Sequence, residues 1–508
     1  MSRRPASTKY SNVTNDVIRS RKVTDAVEKA AHDEYEEIFN SSSVPNADKT
    51  MPVLRDKHKR RAISILQKMK SVISAGLLRI AGWVLYKVLG KMLTTVQFSK
   101  GQMALLKRVH ENTKMPIIYL PVHRSHLDYI LVSFILYMNN IKPPLVAAGD
   151  NLNIPFFGNL MRGLGAFFIK RKLDPKSGKK DYVYRAVLSE YMAENIQRGE
   201  SIEFFLEGGR SRSGKTCMPK GGLLSIVVNT LVDNHIENAY IVPVSISYEK
   251  LIDGNFVAEQ LGKPKVSESF SLAVRAIWKT LRSNYGSVRV DFCKPFSLKE
   301  YVRAVSFTPY SSIDEKGHKN CTARLPCPAC ATKISTMRTV SSTTSMYGTD
   351  ELGPEDKRDI VRQLGEHVLY DAQTNAALMS TQLLSFLLLT QFRKGATMQQ
   401  LVPKMNWLRE ELTSRHRNIG FSGDTADAIR YASNLLGRNL VSTEIVQMAW
   451  SSSESSDDSA NRVKKIVRLK PSPKLHALIE LQYYSNNVLS VFLYESLLGK
   501  NDYNDYYV

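Results

Sequence analysis

His123 and Asp128 stand five residues apart in Pro121-Val-His-Arg-Ser-His-Leu-Asp-Tyr129, directly after the apolar run Pro116–Val122. A carboxylate beside an imidazole makes a general base: it holds one ring tautomer and favours the imidazolium formed when the other nitrogen takes a hydroxyl proton. On a regular helix five residues turn through about 140°, the wrong face for pairing. The pair can form if His123 lies in a turn and the helix starts after it, with Ser125 as candidate N-cap and Asp128 at N3. The same residues also fit a plain capping box, in which both histidines merely satisfy backbone groups.

Three further stretches stand out, two of them with groups suited to an anion. Gly163-Leu-Gly-Ala-Phe-Phe-Ile-Lys-Arg-Lys172 is an apolar strand ending in Lys170, Arg171 and Lys172. It is either a solvated strand end or an anion clamp at the carboxyl edge of a sheet. Ile202-Glu-Phe-Phe-Leu-Glu-Gly-Gly-Arg-Ser-Arg-Ser-Gly-Lys-Thr216 contains Gly-x4-Gly-Lys-Thr, the phosphate-cradling spacing of nucleotide hydrolases. That loop needs a helix starting at its lysine, and Pro219, Gly221 and Gly222 oppose one. What remains is a loop with Glu207, Arg210, Arg212 and Lys215, suited to a small phosphate substrate. In Ile241-Val-Pro-Val-Ser-Ile-Ser-Tyr-Glu249, Pro243 cannot donate to a ladder and predicts a sheet edge or a bulge, with a buried strand carrying one irregularity as the plainer reading.

These groups need a scaffold. Strands are predicted at 116–122, 145–148, 166–169, 202–206, 240–247 and 288–292, alternating with helices at 127–138, 181–197, 223–232 and 267–281. That order predicts a layered α/β domain with a mixed sheet over 113–304. Around it we read a polar, loosely ordered arm (1–56), an N-terminal helical region (57–112), a Ser/Thr/Pro-rich insertion or linker (305–354) and a C-terminal helical region (355–508). The run 71–98 is apolar but interrupted by Arg79, Lys87 and Lys91, so it packs against the next domain or lies on a membrane surface rather than spanning one. Residues 371–393, diluted by Gln and Asn, fit a buried core helix, with membrane insertion as the alternative.

The chain has 508 residues, a formal net charge of +22 and 43% hydrophobic residues. This composition excludes collagen-like, wholly disordered and polytopic membrane classes. Five cysteines point to a reducing compartment rather than a disulfide scaffold, and no secretory signal is expected from Met1–Tyr10. The excess charge calls for nucleic acid, an anionic leaflet or phosphorylated small molecules. No RNA-binding aromatic signature or recognition helix is visible, so nucleic acid is not expected as a partner. His318, Cys321, Cys327 and Cys330 fit no common zinc spacing, and no metal is expected.

Taken together and in order, the four blocks resemble the glycerol-3-phosphate acyltransferases, most closely the mitochondrial type. His123-Arg-Ser-His-Leu-Asp128, Gly165-Ala-Phe-Phe-Ile-Lys-Arg171, Phe205-Leu-Glu-Gly-Gly-Arg-Ser211 and Val242-Pro-Val-Ser-Ile-Ser247 match its four motifs. Asn151-Leu-Asn-Ile-Pro155, Tyr285–Phe292, Pro295–Tyr301 and Gly420-Phe-Ser-Gly423 extend the likeness. Lys170 stands where Arg is common and Gly209 where many relatives have Thr. Family members run longer at both ends.

The resemblance implies acyl transfer from acyl-CoA, a co-substrate rather than a bound cofactor, to the sn-1 hydroxyl of glycerol 3-phosphate. The product, lysophosphatidic acid, is the first intermediate of phospholipid and triacylglycerol synthesis. It further implies His123 as general base, Asp128 as its orienting partner, and phosphate contacts from Arg124, Lys170, Arg171, Arg210 and Arg212. Glu207, Gly208, Ser211 and Pro243 would shape the glycerol site. The implied setting is an anionic membrane surface, the mitochondrial outer membrane, with endoplasmic reticulum or peroxisome as alternatives. Acylation of dihydroxyacetone phosphate, or an inactive lipid-surface or partner-binding role, is the alternative function.

Overall fold

The computed structural model describes residues 10–41, 47–113, 115–153, 157–170, 181–252, 261, 283–307, 354–449 and 463–493. Its centre is a mixed sheet built from β1 (Thr95–Phe98), β2 (Ile117–Pro121), β3 (Leu145–Gly149), β4 (Ala166–Ile169), β5 (Ile202–Glu203), β6 (Tyr240–Tyr248), β7 (Ser287–Phe292) and β8 (Phe296–Ser297). The order is β1-β7-β6-β2-β5-β3-β4, with β8 also on β6. β6, β2, β5, β3 and β4 are mutually parallel, so their carboxyl ends share one edge, whereas β6 and β7 are antiparallel. The sheet includes β1 and so reaches beyond the 113–304 interval read from sequence. The predicted strand 202–206 is regular only at Ile202–Glu203. The predicted helix 267–281 and residues 308–353 of the 305–354 insertion, with its Cys and His residues, lie outside the described residues.

Why these runs form a central sheet follows from their two-sided burial. Ile117, Ile118, Tyr119 and Leu120 are all fully buried, alternately entering two different cores. Parallel strands covered on both faces carry such continuous apolar runs instead of alternating ones. One face packs on α1 (Thr14–Arg19), α2 (Arg21–Ser41), α3 (Ala47–Met69), α8 (Tyr182–Gln197) and α9 (Gly222–Val232). The other packs on α4 (Ala75–Met92), α5 (Lys100–Thr113) and α6 (Asp128–Met138), while α7 (Phe157–Gly163) leads into β4.

Pro243 sits in the interior of β6, not at an edge or bulge. Its missing donor is tolerated because it falls where β6 changes partner, between Ile241 on β8 and Val244 on β7. Its carbonyl still accepts from Cys293 N at 2.9 Å.

Described residues of the arm pack on the sheet domain. Val17 and Val23 are buried, Tyr10 donates to Pro143 O at 2.8 Å, and Glu200 accepts from Ser11 N at 3.0 Å.

After α10 (Leu298–Phe307), the C-terminal region contains α11 (Pro354–Asn375), α12 (Ser380–Thr390), α13 (Met398–Ser414), α14 (Thr425–Leu436) and α15 (Leu475–Leu489). It is not purely helical: β9 (Ala396–Thr397), β10 (Val441–Ala449) and β11 (Val463–Pro471) form an antiparallel sheet. Residues 371–393 break into two helices, and Leu383, Leu384, Leu387 and Leu388 are fully buried among the C-terminal elements. No helix among the described residues is long and apolar enough to cross a membrane.

Beside the apolar packing of Ile360, Leu364 and Val368 in the core of the sheet domain, two polar junctions bear on this region's placement. Glu249, just after β6, is buried and accepts from Thr381 N at 3.0 Å and from both hydroxyls of Ser380 and Thr381. A carboxylate there caps α12 and meets its positive end. At the loop following β5, Asn486 Nδ2 donates to Ser213 O at 2.8 Å, and a Cβ on Gly214 (φ +78°) would lie 2.3 Å from the Tyr483 carbonyl. Gly214→Ala therefore combines left-handed strain with a backbone collision. It is expected to lower stability by about 2–4 kcal/mol, read as an earlier urea transition. Gly209→Ala, with nothing near its Cβ, should cost under about 1 kcal/mol.

Candidate active site

The shared carboxyl edge gathers the turn after β2, the end of β4 and the loop after β5, the usual place for a ligand in an α/β sheet. His123 lies in the turn and α6 starts at Asp128, so the two side chains meet: His123 Nδ1 is 3.0 Å from Asp128 Oδ2. The helix begins later than the N-cap reading of Ser125 required. Asp128 is the first helical residue, and it reaches back to accept from Arg124 N at 2.7 Å and Ser125 N at 2.8 Å. Its other oxygen accepts from Tyr248 Oη at 2.6 Å. Asp128 is 0% exposed. A buried carboxylate survives as the anion only with such donors, and here they come together with a helix N-terminus.

Glu203, on β5 below α6, is the counterpart. It is 0% exposed, both its oxygens lack a hydrogen-bond partner, and so does the hydroxyl of its register neighbour Tyr119. Burial, reinforced by the charge of Asp128, pushes the Glu203 carboxyl well above the usual carboxylate range. Two carboxyls in one dry compartment cannot both ionise, and the one with donors takes the charge. Burial favours the neutral form of Glu203.

The loop after β5 clasps the turn from outside. Glu207 Oε2 accepts from His123 N at 3.1 Å, its Oε1 from Cys217 N at 3.3 Å, and Ser211 N donates to His123 O at 3.0 Å. Burial raises the Glu207 carboxyl, opposed by the Arg124 guanidinium and by those two N–H groups. Arg124 Nη1 and Ser211 Oγ both donate to Lys215 O, at 3.3 and 2.5 Å. The Phe205 ring stacks on the His123 ring with centroids 4.1 Å apart. Gly208 needs its φ of +63°, and a Cβ there would strike Lys220 Cδ at 2.7 Å. Because α9 begins only at Gly222, no helix N-terminus stands at Lys215, and the nucleotide-hydrolase reading of this loop falls.

Next to His123 opens a cavity of about 720 Å³. Its walls include His126 and Tyr129, the end of β3, Lys170, Gly208, Gly209 and Lys220, together with residues of α2, α8 and α9. Lys170 N donates to Tyr184 Oη at 2.7 Å, and its ammonium lies 4.8 Å from the Tyr184 ring centroid and 4.0 Å from Asp181 Oδ2.

Of the residues selected from sequence, His123, Arg124, Asp128, Glu207 and Ser211 meet directly. Arg210 and Arg212 are carried by the same loop. Lys170 and Gly208 line the cavity. Pro243 is buried within β6 and is not part of the cavity wall. Arg171 lies outside the described residues. Sequence reasoning missed Tyr248, Glu203 and Lys220, although each stands in or beside a quoted block. It also missed the contribution of α2. Among the described residues no group of three or more His, Cys, Asp or Glu is placed to hold a metal ion.

Two family models match consecutive stretches: "Acyltransferase" over residues 104–247 and "Glycerol-3-phosphate acyltransferase C-terminal region" over 256–499. The chain is 38% identical over 495 residues to glycerol-3-phosphate acyltransferase 1, mitochondrial, of Rattus norvegicus, covering 97% of this chain and 56% of that protein. The Homo sapiens protein of the same name is 39% identical over 490 residues, covering 96% and 56%. A probable mitochondrial glycerol-3-phosphate acyltransferase of Caenorhabditis elegans is 29% identical over 493 residues, covering 96% and 61%. The chain spans about half the length of these curated relatives. With that identity running through nearly all of its residues, with three of the four blocks meeting at one sheet edge and the fourth lying in the adjoining β6, the chain is similar to the mitochondrial glycerol-3-phosphate acyltransferases over the half of them that it spans.

Proposed function

We propose that this chain moves a fatty acyl group from acyl-CoA to the sn-1 hydroxyl of glycerol 3-phosphate, giving lysophosphatidic acid. The carrying observation is the buried Asp128 holding His123 Nδ1 at 3.0 Å beside a cavity that His123 itself lines. With the Nδ1 proton given to Asp128, Nε2 is the basic nitrogen. It takes the proton of the sn-1 hydroxyl as that oxygen attacks the thioester carbonyl. The resulting oxyanion needs nearby N–H or side-chain donors, then collapses with expulsion of the CoA thiolate, which recovers the proton from His123. No covalent enzyme intermediate is required.

In this reading Arg124, Lys170, Arg171, Arg210 and Arg212 hold the phosphate of the acceptor, and Glu207, Gly208 and Ser211 shape its glycerol site. Glu207 contributes by fixing the His123 backbone. Pro243 contributes only through β6, which carries Tyr248 to Asp128.

The proposed setting is an anionic membrane surface, that of the mitochondrial outer membrane, in keeping with the names of the relatives. Supporting it is the outer side of α4. Leu78, Gly82, Leu89 and Met92 face the protein, but Ile80, Trp83 and Val84 are exposed, Trp83 by 66%. Arg79, Lys87 and Lys91 flank them. An apolar stripe bordered by lysines whose stems can snorkel is the composition of an interfacial helix.

His123→Ala is expected to reduce acyl transfer by about 10²–10⁴-fold, measured with palmitoyl-CoA and with glycerol 3-phosphate and dihydroxyacetone phosphate offered in parallel. Retained activity, or preference for dihydroxyacetone phosphate, overturns the assignment. Tyr248→Phe removes one donor from Asp128 and should lower kcat about tenfold with both KM values nearly unchanged. The double variant Ile80→Ser/Trp83→Ser should weaken cosedimentation with anionic vesicles about fivefold or more. Binding by the parent protein should fall as salt rises.

A further inference from the structure

The wall of the cavity facing the N-terminal arm has more positive charge than the acceptor substrate requires. Lys22, Asp25, Ala26 and Lys29 of α2 line it at the i, i+3, i+4, i+7 spacing that puts four side chains on one helix face. The arm is held there by packing of α2 on α8 and α3, and by the ion pairs of Glu34 with Lys57 and His58. Lys22 Nζ donates to Ser189 Oγ at 2.7 Å, and the Lys29 ammonium stands 4.0 Å over the Tyr182 ring. Those neighbours are neutral and neutralise neither cation. Arg185 and Lys220 line the same cavity, whereas Asp25 is the one carboxylate among its described lining residues and lies 3.7 Å from Arg21.

Glycerol 3-phosphate brings one phosphate, for which the loop carrying Arg210 and Arg212 already provides, and a fatty chain brings no charge. The surplus calls for a second, larger anion entering the same cavity. In an acyl thioester of CoA the nucleotide carrier supplies a diphosphate and a 3′-phosphate. The phosphate-free remainder suits the apolar wall of Val146, Ala148, Ile169, Leu223 and Ile226.

We propose that the N-terminal arm is part of the acyl-donor site: Lys22 and Lys29 on α2, with Arg185 on α8, bind the phosphates of the CoA carrier across the cavity from His123. This rests on the acyl-transfer reading and deepens it, because it assigns the donor's charged half to a segment outside the four family blocks. Lysine ammonium groups suit this task as point charges that adapt to several phosphate geometries.

The test uses the full chain with Lys22→Ala/Lys29→Ala, two exposed positions whose loss leaves the core untouched. The KM for palmitoyl-CoA is expected to rise about five- to tenfold, with the difference shrinking as salt increases. The KM for glycerol 3-phosphate should stay within twofold, as should that for palmitoyl N-acetylcysteamine thioester, which has the reactive group and chain but no phosphate. Lys22→Arg/Lys29→Arg should restore the palmitoyl-CoA value. An unchanged palmitoyl-CoA KM, or an equal shift for both thioesters, overturns the proposal. Calorimetric titration with CoA itself reads the same site without turnover. CoA binding that is weakened by the double variant supports the arm's role even if acyl transfer to glycerol 3-phosphate is absent. CoA binding that the variant leaves unchanged refutes it.

Discussion

An ionised carboxylate buried to zero exposure is the constraint around which this site is built. Asp128 is stable as an anion only because two backbone N–H groups, a tyrosine hydroxyl and an imidazole converge on it at the start of α6. Each donor comes from a different structural decision. The N–H groups come from the tight turn after β2, the imidazole from placing His123 within that turn, and the hydroxyl from the register that brings β6 beside β2. Shifting any of them leaves a charge uncompensated in the interior. Burial, reinforced by the same charge, pushes the Glu203 carboxyl beneath it well above the usual carboxylate range.

The loop after β5 transmits structure between two halves of the molecule. On one side its Glu207 and Ser211 hold the backbone of His123. On the other, Ser213 and Gly214 rest against α15, and Pro219 packs on Gly365 of α11. The guanidinium-bearing segment thus derives its shape from both the sheet domain and the C-terminal helices. Glu249 repeats the arrangement at the end of β6, where a buried carboxylate is met by the first turn of α12. Both junctions use charged or polar groups whose hydrogen bonds are directional, which fixes how the C-terminal region sits on the sheet more narrowly than apolar packing alone.

The excess positive charge has identifiable destinations. Part of it lines the cavity beside His123, part lies on the loop clasping the turn after β2, and part borders the exposed apolar stripe of α4. Cations gathered in a concave site raise the local concentration of anionic ligands, while those on a convex helix favour an anionic surface.

By itself the sequence determined the layered α/β class and most strand and helix positions between 116 and 292. These follow from local rules: continuous apolar runs for strands covered on both faces, and turn residues between them. It also identified His123 and Asp128 as a possible pair, because the turn preceding α6 is encoded next to both. Contacts spanning many residues of chain were not legible. Tyr248 reaches Asp128 across 120 residues, and Asn486 reaches Ser213 across 273. The arm's return to the cavity and the harmless placement of Pro243 depend on the order of strands in the sheet. Sequence periodicity reports which face of an element is apolar, but not which neighbour covers it; that choice belonged to the tertiary structure, because only packing sets the distances over which hydrogen bonds and charges act.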